Sequence, residues 1–232
     1  MNIALLGYGK MGREVERAAI AQGHTVTVKI DNENDWQAWL KNGSQKVDAA
    51  IDFSTPQTAT VNIERCFDLH IPVVVGTTGW NTDIERLKER CLRENEALFH
   101  SSNFSIGVYL FIKTAKFLAK TMPSRYTPSI SETHHIHKLD KPSGTALTLR
   151  AETFGKITDN TAANIAVENV PIESIREGEI NGIHTLKFAS TEDEITLTHT
   201  AYSRAGFALG AVKAAEFLQG KQGWFTMNDM LE

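Results

Sequence analysis

The chain of 232 residues is short of several things, and each shortage removes a class of protein. Two cysteines, Cys66 and Cys91, are all it has, and they form no Cys-x-x-Cys pair. A disulfide-stapled fold and a thiolate metal knuckle are therefore excluded, and both thiols are expected to be reduced in a cytoplasmic protein. No apolar run approaches the roughly 18 residues of a membrane-spanning helix. The longest one, "VYLFIKTAKFLAK", is broken by lysines. Positive charge is not in surplus: 24 Lys and Arg face 28 Asp and Glu, for a net charge of −4 and a pI of about 6.1. A nucleic-acid partner is not expected from that balance. The start, "MNIALLGYGKMG", turns glycine-rich at once and does not read as a signal peptide. No internal repeat, linker run or low-complexity tract is present. What remains is ordinary globular composition, 41% hydrophobic and 22% charged, with length for one large domain or two modest ones.

The first hundred residues alternate strand and helix signals. "NIALLG", "TVTVKID", "VDAAIDFS", "IPVVVGTTG" and "ALFHSS" read as strands. Between them, "KMGREVERAAIAQG" places Met11, Val15, Ala18 and Ala19 on one helical face. Pro56 suits the first turn of a helix running to about His70. Thr82 and Glu85 have the capping-box spacing ahead of "TDIERLKERCLREN". The β-α-β-α order predicts an α/β domain with an open parallel sheet covered on both sides. The pattern changes after about Asn103. "SIGVYLFIKTAKFLAK" reads as a long helix with Val108, Phe111, Ile112, Ala115 and Leu118 inward. "SISETHHI" reads as a strand, "SGTALTLRAETFGKI" as a helix, and "IAVENVPIESI", "GIHTLKFAS" and "DEITLTHTAY" as strands with a hairpin turn at Thr191-Glu192-Asp193. This half is expected to be α+β with a mixed or antiparallel sheet. A last helix, "AGFALGAVKAAEFLQG", can return to either half.

Gly7-x-Gly9-x-x-Gly12 lies between a predicted strand and a predicted helix, and Asp31 ends the next strand nineteen residues beyond Gly12. That is the Rossmann-type dinucleotide fingerprint in its required setting. Glycines let the backbone approach a pyrophosphate, the helix N-terminus offers free N–H groups, and an acid at Asp31 accepts from an adenosine ribose. Asp31 also disfavours a 2′-phosphate. Asn32 adds no charge beside it, whereas Lys10, Arg13 and Lys29 are near enough in sequence to offset it. NADH is therefore favoured as cofactor, with use of NADPH allowed. Gly76-Thr77-Thr78-Gly79 and Ser101-Ser102-Asn103-Phe104 follow the fourth and fifth strands, where the ligand crevice of such a sheet lies.

The second dense segment is "SETHHIHKLDKPSGTA", Ser131 to Ala146. His135-x-His137 has the spacing of two metal ligands, but no further ligands accompany it, and no metal is assigned. Lys138 is a point positive charge. Ser143, after Pro142, would cap a helix whose free amides make a second anion site. A histidine beside them is a proton donor or acceptor. Two anion sites and a proton donor suit a small dicarboxylate. With a hydride carrier, they describe reduction of a C=C or C=N bond.

The stretch Glu132-Thr133-His134-His135-Ile136-His137-Lys138-Leu139-Asp140-Lys141-Pro142-Ser143-Gly144-Thr145-Ala146 resembles the signature E-x-H-H-x-x-K-x-D-x-P-S-G-T-A of the dihydrodipicolinate (4-hydroxy-tetrahydrodipicolinate) reductases. The resemblance extends to the glycine loop, Asp52-Phe53-Ser54, the Gly-Thr-Thr-Gly turn, Ser102 to Ser105, and "SRAGFALGAVKAA". It implies a Rossmann-type dinucleotide-binding domain, residues 1–104 with 205–232, and a substrate and oligomerisation domain with a mixed sheet, residues 105–204. It implies NAD(P)H-dependent reduction of a ring dicarboxylate in lysine and diaminopimelate synthesis, by a homotetramer. By position, His134 is the proton donor and Lys138 the second catalytic group. His135, Ser143, Gly144 and Thr145 hold substrate. Gly7, Tyr8, Gly9, Lys10, Met11, Gly12 and Asp31 hold the dinucleotide, with Gly76, Thr77, Thr78, Ser101, Ser102, Asn103 and Phe104 along it. The glycine loop is one residue shorter than in many members, and Asn32 stands where many carry an arginine. The alternatives are a related amino-acid or imino-acid dehydrogenase and a non-catalytic NADH-binding sensor.

Overall fold

A computed structural model describes residues 1–41, 46–155 and 161–232. The chain forms two compact units, Met1–Ser105 with Ala205–Glu232, and Ile106–Arg204.

The first unit is built on a six-stranded sheet. Its strands are β1 (Asn2–Leu6), β2 (Thr25–Ile30), β3 (Ala49–Asp52), β4 (Val73–Val75), β5 (Ala97–His100) and β10 (Gly223–Phe225). The order is β10-β5-β4-β3-β1-β2, and every pairing is parallel. A strand covered on both faces must be apolar on both, and Val73–Val75 is buried throughout. The helices are α1 (Lys10–Ala21), α2 (Glu33–Lys41), α3 (Pro56–Asp68), α4 (Ile84–Glu94), α7 (Ala205–Phe217) and α8 (Met227–Leu231). In α1 it is Gly12, Val15 and Ala19 that are buried, while Met11 and Ala18 are only half-buried. The last long helix belongs to this unit: α7 buries Ala208, Ala211, Ala214 and Ala215, and a Cβ on Gly210 would collide with the Phe104 carbonyl oxygen. Small residues let that helix come close to the chain beneath it.

Several local expectations change. Pro56 does open α3. The Thr82–Glu85 capping box is absent, however. Asn81–Asp83 is a 3-10 turn, and the Thr82 hydroxyl bonds the Asp83 side chain at 3.3 Å. Trp80, buried with its Nε1 donating to the Thr77 carbonyl at 2.7 Å, pins the chain just upstream, and α4 starts only at Ile84. The helix α2 has no counterpart among the sequence expectations, nor do β10 and α8. The first is a nine-residue helix that buries only Trp36, and the other two are very short.

The second unit has a four-stranded mixed sheet in the order β7-β6-β8-β9. Strands β6 (Thr127–His134) and β7 (Ile172–Arg176) are parallel. β8 (Ile183–Ala189) runs antiparallel to β6 and forms a hairpin with β9 (Glu194–Thr200). The hairpin closes with Ser190 N–H donating to the Asp193 carbonyl at 2.9 Å. The expected strand from Ile165 is half right. Val167–Asn169 is a 3-10 turn, and pairing starts only after Pro171, which has no N–H to give to a ladder. Helices α5 (Ile106–Thr121) and α6 (Gly144–Thr153) cover one face. Val108, Phe111 and Ala115 are buried as expected, Ile112 and Leu118 are half-buried, and Ala119 joins the core. Strict alternation buries Pro128, Ile130, Glu132 and His134 of β6 on the helix side and leaves Ser129, Ser131 and Thr133 on the other. Lys156 and Ile157, the expected end of α6, lie outside the described residues.

Candidate active site

In the first unit the loop β1–α1 is shaped by close backbone approach. Gly7 has φ +86°, and a Cβ there would collide with the Phe53 carbonyl oxygen of the loop after β3. A Cβ on Gly12 would collide with the Gly7 carbonyl oxygen. Gly12 is therefore a packing residue, buried in α1, that sets the loop. Gly9 differs: a Cβ there would meet nothing within 4 Å. It is the N-cap of α1, and no side-chain oxygen caps the helix. Bare N–H groups and the positive end of the helix dipole thus face open space, which fits a pyrophosphate.

Two clefts flank this loop. One, of about 330 Å³, is lined by Gly9, Lys10, Met11, Phe53, Ser54, Pro56, Gly76, Thr77 and Thr78. The other, of about 230 Å³, is lined among others by Gly7, Asp31, Asn32, Glu33 and Arg65. Asp31 accepts from the Tyr8 backbone N–H at 2.8 Å, which ties the acid to the glycine loop. Lys29 is not free to offset it. Its Nζ lies 2.5 Å from Glu16 and 3.1 Å from the Tyr8 hydroxyl, and it sits over the Tyr8 ring beside Arg13. The arginine near Asp31 is Arg65, from α3, and Glu33 grips it at 2.8 and 3.0 Å. Sequence distance hid Arg65; only the α3 packing brings it there.

The wall between these loops is held by Asp52, which carried no assigned role. Fully buried at the end of β3, it accepts from Thr77 Oγ1 at 2.5 Å, Asn62 Nδ2 at 2.8 Å, and Ser54 N–H at 3.1 Å. Burial pushes its carboxyl up, against the donors that hold it charged. Ser101 to Phe104 lines neither cleft. Ser101 Oγ donates to the Asn103 carbonyl at 2.7 Å, and the Phe104 ring is buried against Phe53 and Phe99.

In the second unit β6 carries His134 at its end, nearly fully buried. Burial lowers its pKa, and Lys138 and Arg176 add to that while Glu132 and Asp140 oppose it. The chain then turns, Lys138 N–H to the His135 carbonyl at 3.1 Å, and reaches α6. His137 points away to an exposed contact with Glu179 at 3.3 Å. His135 is half-buried, with its ring 6.0 Å from that of His137. Ser143 is the N-cap of α6, and its Oγ accepts from Ala146 N–H at 3.3 Å. A Cβ on Gly144 would meet nothing within 4 Å, so the helix N-terminus is open there. The two expected anion donors are joined by one residue. Asp140 sits 2.8 Å from Lys138 Nζ and accepts from the Gly144 amide, and these contacts hold its carboxyl below the usual range against the effect of burial.

Beneath them is a polar layer that sequence reasoning did not assign. Glu132, Arg176 and His184 come from β6, β7 and β8, and pairing of these strands makes them neighbours. Glu132 Oε1 accepts from Ser143 N–H at 3.0 Å and lies 3.1 Å from Arg176 Nη2. Arg176 also donates to the Asp140 carbonyl. His184 Nε2 shares a hydrogen bond with Ser143 Oγ at 3.2 Å. Burial pushes the His184 pKa down to about 4, so the ring is neutral. Ligand atoms of Glu132, His134 and His184 lie within 4.8 Å of one another, but Arg176 already neutralises the carboxylate.

A parallel-sheet unit with a glycine-loop dinucleotide cradle, followed by a mixed-sheet unit carrying a histidine and two anion donors, defines the class of two-domain nicotinamide-dependent oxidoreductases. The comparisons narrow this. Residues 1–104 match the family described as dihydrodipicolinate reductase, N-terminus, and residues 107–231 match dihydrodipicolinate reductase, C-terminus. A 4-hydroxy-tetrahydrodipicolinate reductase of Christiangramia forsetii is 43% identical over 242 residues, covering 100% of this chain and 98% of that protein. The one from Archaeoglobus fulgidus is 37% identical, with 100% of each covered. The chain belongs to the 4-hydroxy-tetrahydrodipicolinate reductase family. Among solved structures, the dipicolinate-bound dihydrodipicolinate reductase from Paenisporosarcina sp. TG-14 shares the fold, with a TM-score of 0.79 at 19% identity over 100% of this chain and 99% of that one. An amine dehydrogenase from Mycobacterium smegmatis has a TM-score of 0.62 at 12% identity, over 100% and 96%.

Proposed function

We propose that this chain reduces 4-hydroxy-tetrahydrodipicolinate (dihydrodipicolinate) to tetrahydrodipicolinate with NADH or NADPH, a step in lysine and diaminopimelate synthesis. One observation carries the chemistry: a buried histidine, His134, next to a cationic and a helix-terminal anion donor, in a chain of this family. The first unit is the dinucleotide-binding domain, and the second holds substrate and makes the oligomer.

The bound nicotinamide supplies the hydride. In the first unit, Gly9 and the α1 amides hold the pyrophosphate, with Lys10, Met11, Gly76, Thr77 and Thr78 along the cleft. Gly7 and Gly12 shape that loop, Tyr8 links it to Asp31, and Ser101, Ser102, Asn103 and Phe104 support the far end of the cofactor. In the second unit, Lys138 and the Ser143-Gly144-Thr145 turn take the two substrate carboxylates, which exchange for Asp140, and His135 borders the ring. His134 delivers the proton that completes reduction.

NADH is the favoured cofactor. Asp31 binds a free ribose 2′-hydroxyl and repels a phosphate, Lys29 is tied to Glu16, and Glu33 neutralises Arg65. The homotetramer has support in the open face of the second sheet, where the small residues Ser129, Ser131, Thr133, Thr185, Thr196 and Thr198 surround the Lys187–Glu194 ion pair and offer a surface to a second copy. Among the described residues no helix is long and apolar enough to cross a membrane. We place the protein in the cytoplasm, where Cys66 and Cys91, buried and pushed up in pKa, remain thiols.

The test is a coupled assay with purified synthase, pyruvate and aspartate semialdehyde, following oxidation of NADH and NADPH. Oxidation that depends on the synthase, with the larger kcat/KM for NADH, is expected. Cofactor binding without turnover would leave the sensor alternative, and turnover with simple keto acids instead would leave the amino-acid dehydrogenase.

A further inference from the structure

Glu132 is buried to 1% exposure, yet its two oxygens fare differently. Oε1 is satisfied by Ser143 N–H and by Arg176. Oε2 is buried with no hydrogen bond, and so is His134 Nδ1, and the two atoms stand 3.5 Å apart. A buried polar atom without a partner is costly, and two facing each other are relieved by one proton between them. On the other side of the ring, a Cβ on Gly182 would come within 3.1 Å of His134 Nε2, so the missing side chain keeps that nitrogen uncovered. The charged or titratable groups around the ring are Glu132 on its own strand, Arg176 on β7, His184 on β8, and Lys138 and Asp140 in the loop.

We infer that Glu132 is a positioning residue: it holds the proton of His134 on Nδ1, so that Nε2 carries the mobile proton, and it fixes the N-terminus of α6 with its other oxygen. The inference rests on His134 being the proton donor. One carboxylate then sets the tautomer of the donor and the place of the anion-binding turn, Ser143 to Thr145. During turnover the imidazolium gives its Nε2 proton to the substrate, becomes the neutral Nδ1–H form, and takes a proton back from water. Glu132 stays ionised throughout. Its charge also favours the imidazolium, against the burial that disfavours it.

The experiment uses protein labelled with ¹⁵N-histidine, with NADH bound, and reads the His134 tautomer by two-dimensional NMR, assigned with the H134Q protein. Wild type is expected to show neutral His134 with the proton on Nδ1. In Glu132→Gln the amide can keep its oxygen on Ser143 and Arg176 and turn its NH₂ to Nδ1. The proton then moves to Nε2, kcat falls by about 10²-fold, the pH at which kcat declines on the alkaline side moves lower, and KM for NADH is unchanged. A wild-type His134 with its proton on Nε2 overturns the inference and needs no variant that folds. So does a Glu132→Gln enzyme with the wild-type tautomer and pH profile. If His134→Gln itself keeps full turnover, the assignment of His134 fails instead, whatever Glu132 does.

Discussion

The two units build their sites from different parts of the chain. In the first unit the groups proposed to meet the cofactor are largely backbone. Gly9 and the bare start of α1 face a cleft, and Gly7 and Gly12 let the loops close behind them. In the second unit the working groups are side chains, and they stand on a buried layer, Glu132, Arg176 and His184, contributed by three different strands. A backbone site tolerates side-chain change wherever space allows and fails where a Cβ is forbidden. A side-chain site resting on a buried polar layer is sensitive to protonation, because buried polar groups leave one another's hydrogen bonds unmade when one of them changes.

The largest effect that sharpens this contrast is His134→Gln. Loss of a general acid lowers kcat by about 10²–10⁴-fold, while NADH affinity, proposed to rest on the other unit, is expected to stay nearly unchanged. Near-wild-type turnover with chemistry rate-limiting would break the assignment. The next concerns acid. His184 is neutral in the fold with a pKa pushed down to about 4, against 6.5 for an ordinary histidine. Between those values the unfolded chain binds more protons, so stability rises with pH and is lost on acidification. From pH 6.5 to 4.5 the His184 contribution amounts to roughly 2–3 kcal/mol. Thermal melts of wild type and His184→Asn across that window measure it, and equal slopes would show that His184 is not held neutral by the fold.

The glycine loop offers a paired test. Gly12→Ala forces a Cβ onto the Gly7 carbonyl and is expected to cost about 1–3 kcal/mol of stability, as overpacking does. Gly9→Ala points into open space, leaves the melting temperature nearly unchanged, and weakens NADH binding. Unchanged NADH affinity in Gly9→Ala would mean that the cleft side of the loop is not where the pyrophosphate lies. The smallest effect is on cofactor choice. Glu33→Gln releases Arg65 toward the ribose pocket, and an arginine freed there binds a phosphate. The NADPH/NADH ratio of kcat/KM is expected to rise by about three- to tenfold, and Arg65→Met in the same protein should remove the gain. An unchanged ratio would put the 2′-position out of Arg65's reach.

These contrasts also explain what was readable beforehand. The parallel sheet, the glycine loop and Asp31 follow from period and spacing, because a strand, a tight turn and a helix start are local events. Ser143 as a helix cap was legible for the same reason. That Gly12 presses on the Gly7 carbonyl was not legible, because spacing alone does not show which glycine of the loop meets backbone. The Thr82–Glu85 pattern failed because buried Trp80 fixes the preceding chain. Helix α2 escaped notice because only Trp36 of its nine residues is buried, which leaves little apolar period to read.

By itself, the sequence determined which residues carry charge, protons and anion-binding amides, since His134, Lys138 and the Pro-Ser-Gly-Thr turn lie within one short segment whose local geometry is set by nearest neighbours. Only the tertiary structure decided what surrounds them. Glu132 meets Arg176 and His184, and Arg65 comes to line the same cleft as Asp31, through strand pairing and helix packing between residues far apart in the chain. Burial then keeps His184 neutral, because desolvation depends on everything that covers a group and not on the residues beside it in the sequence.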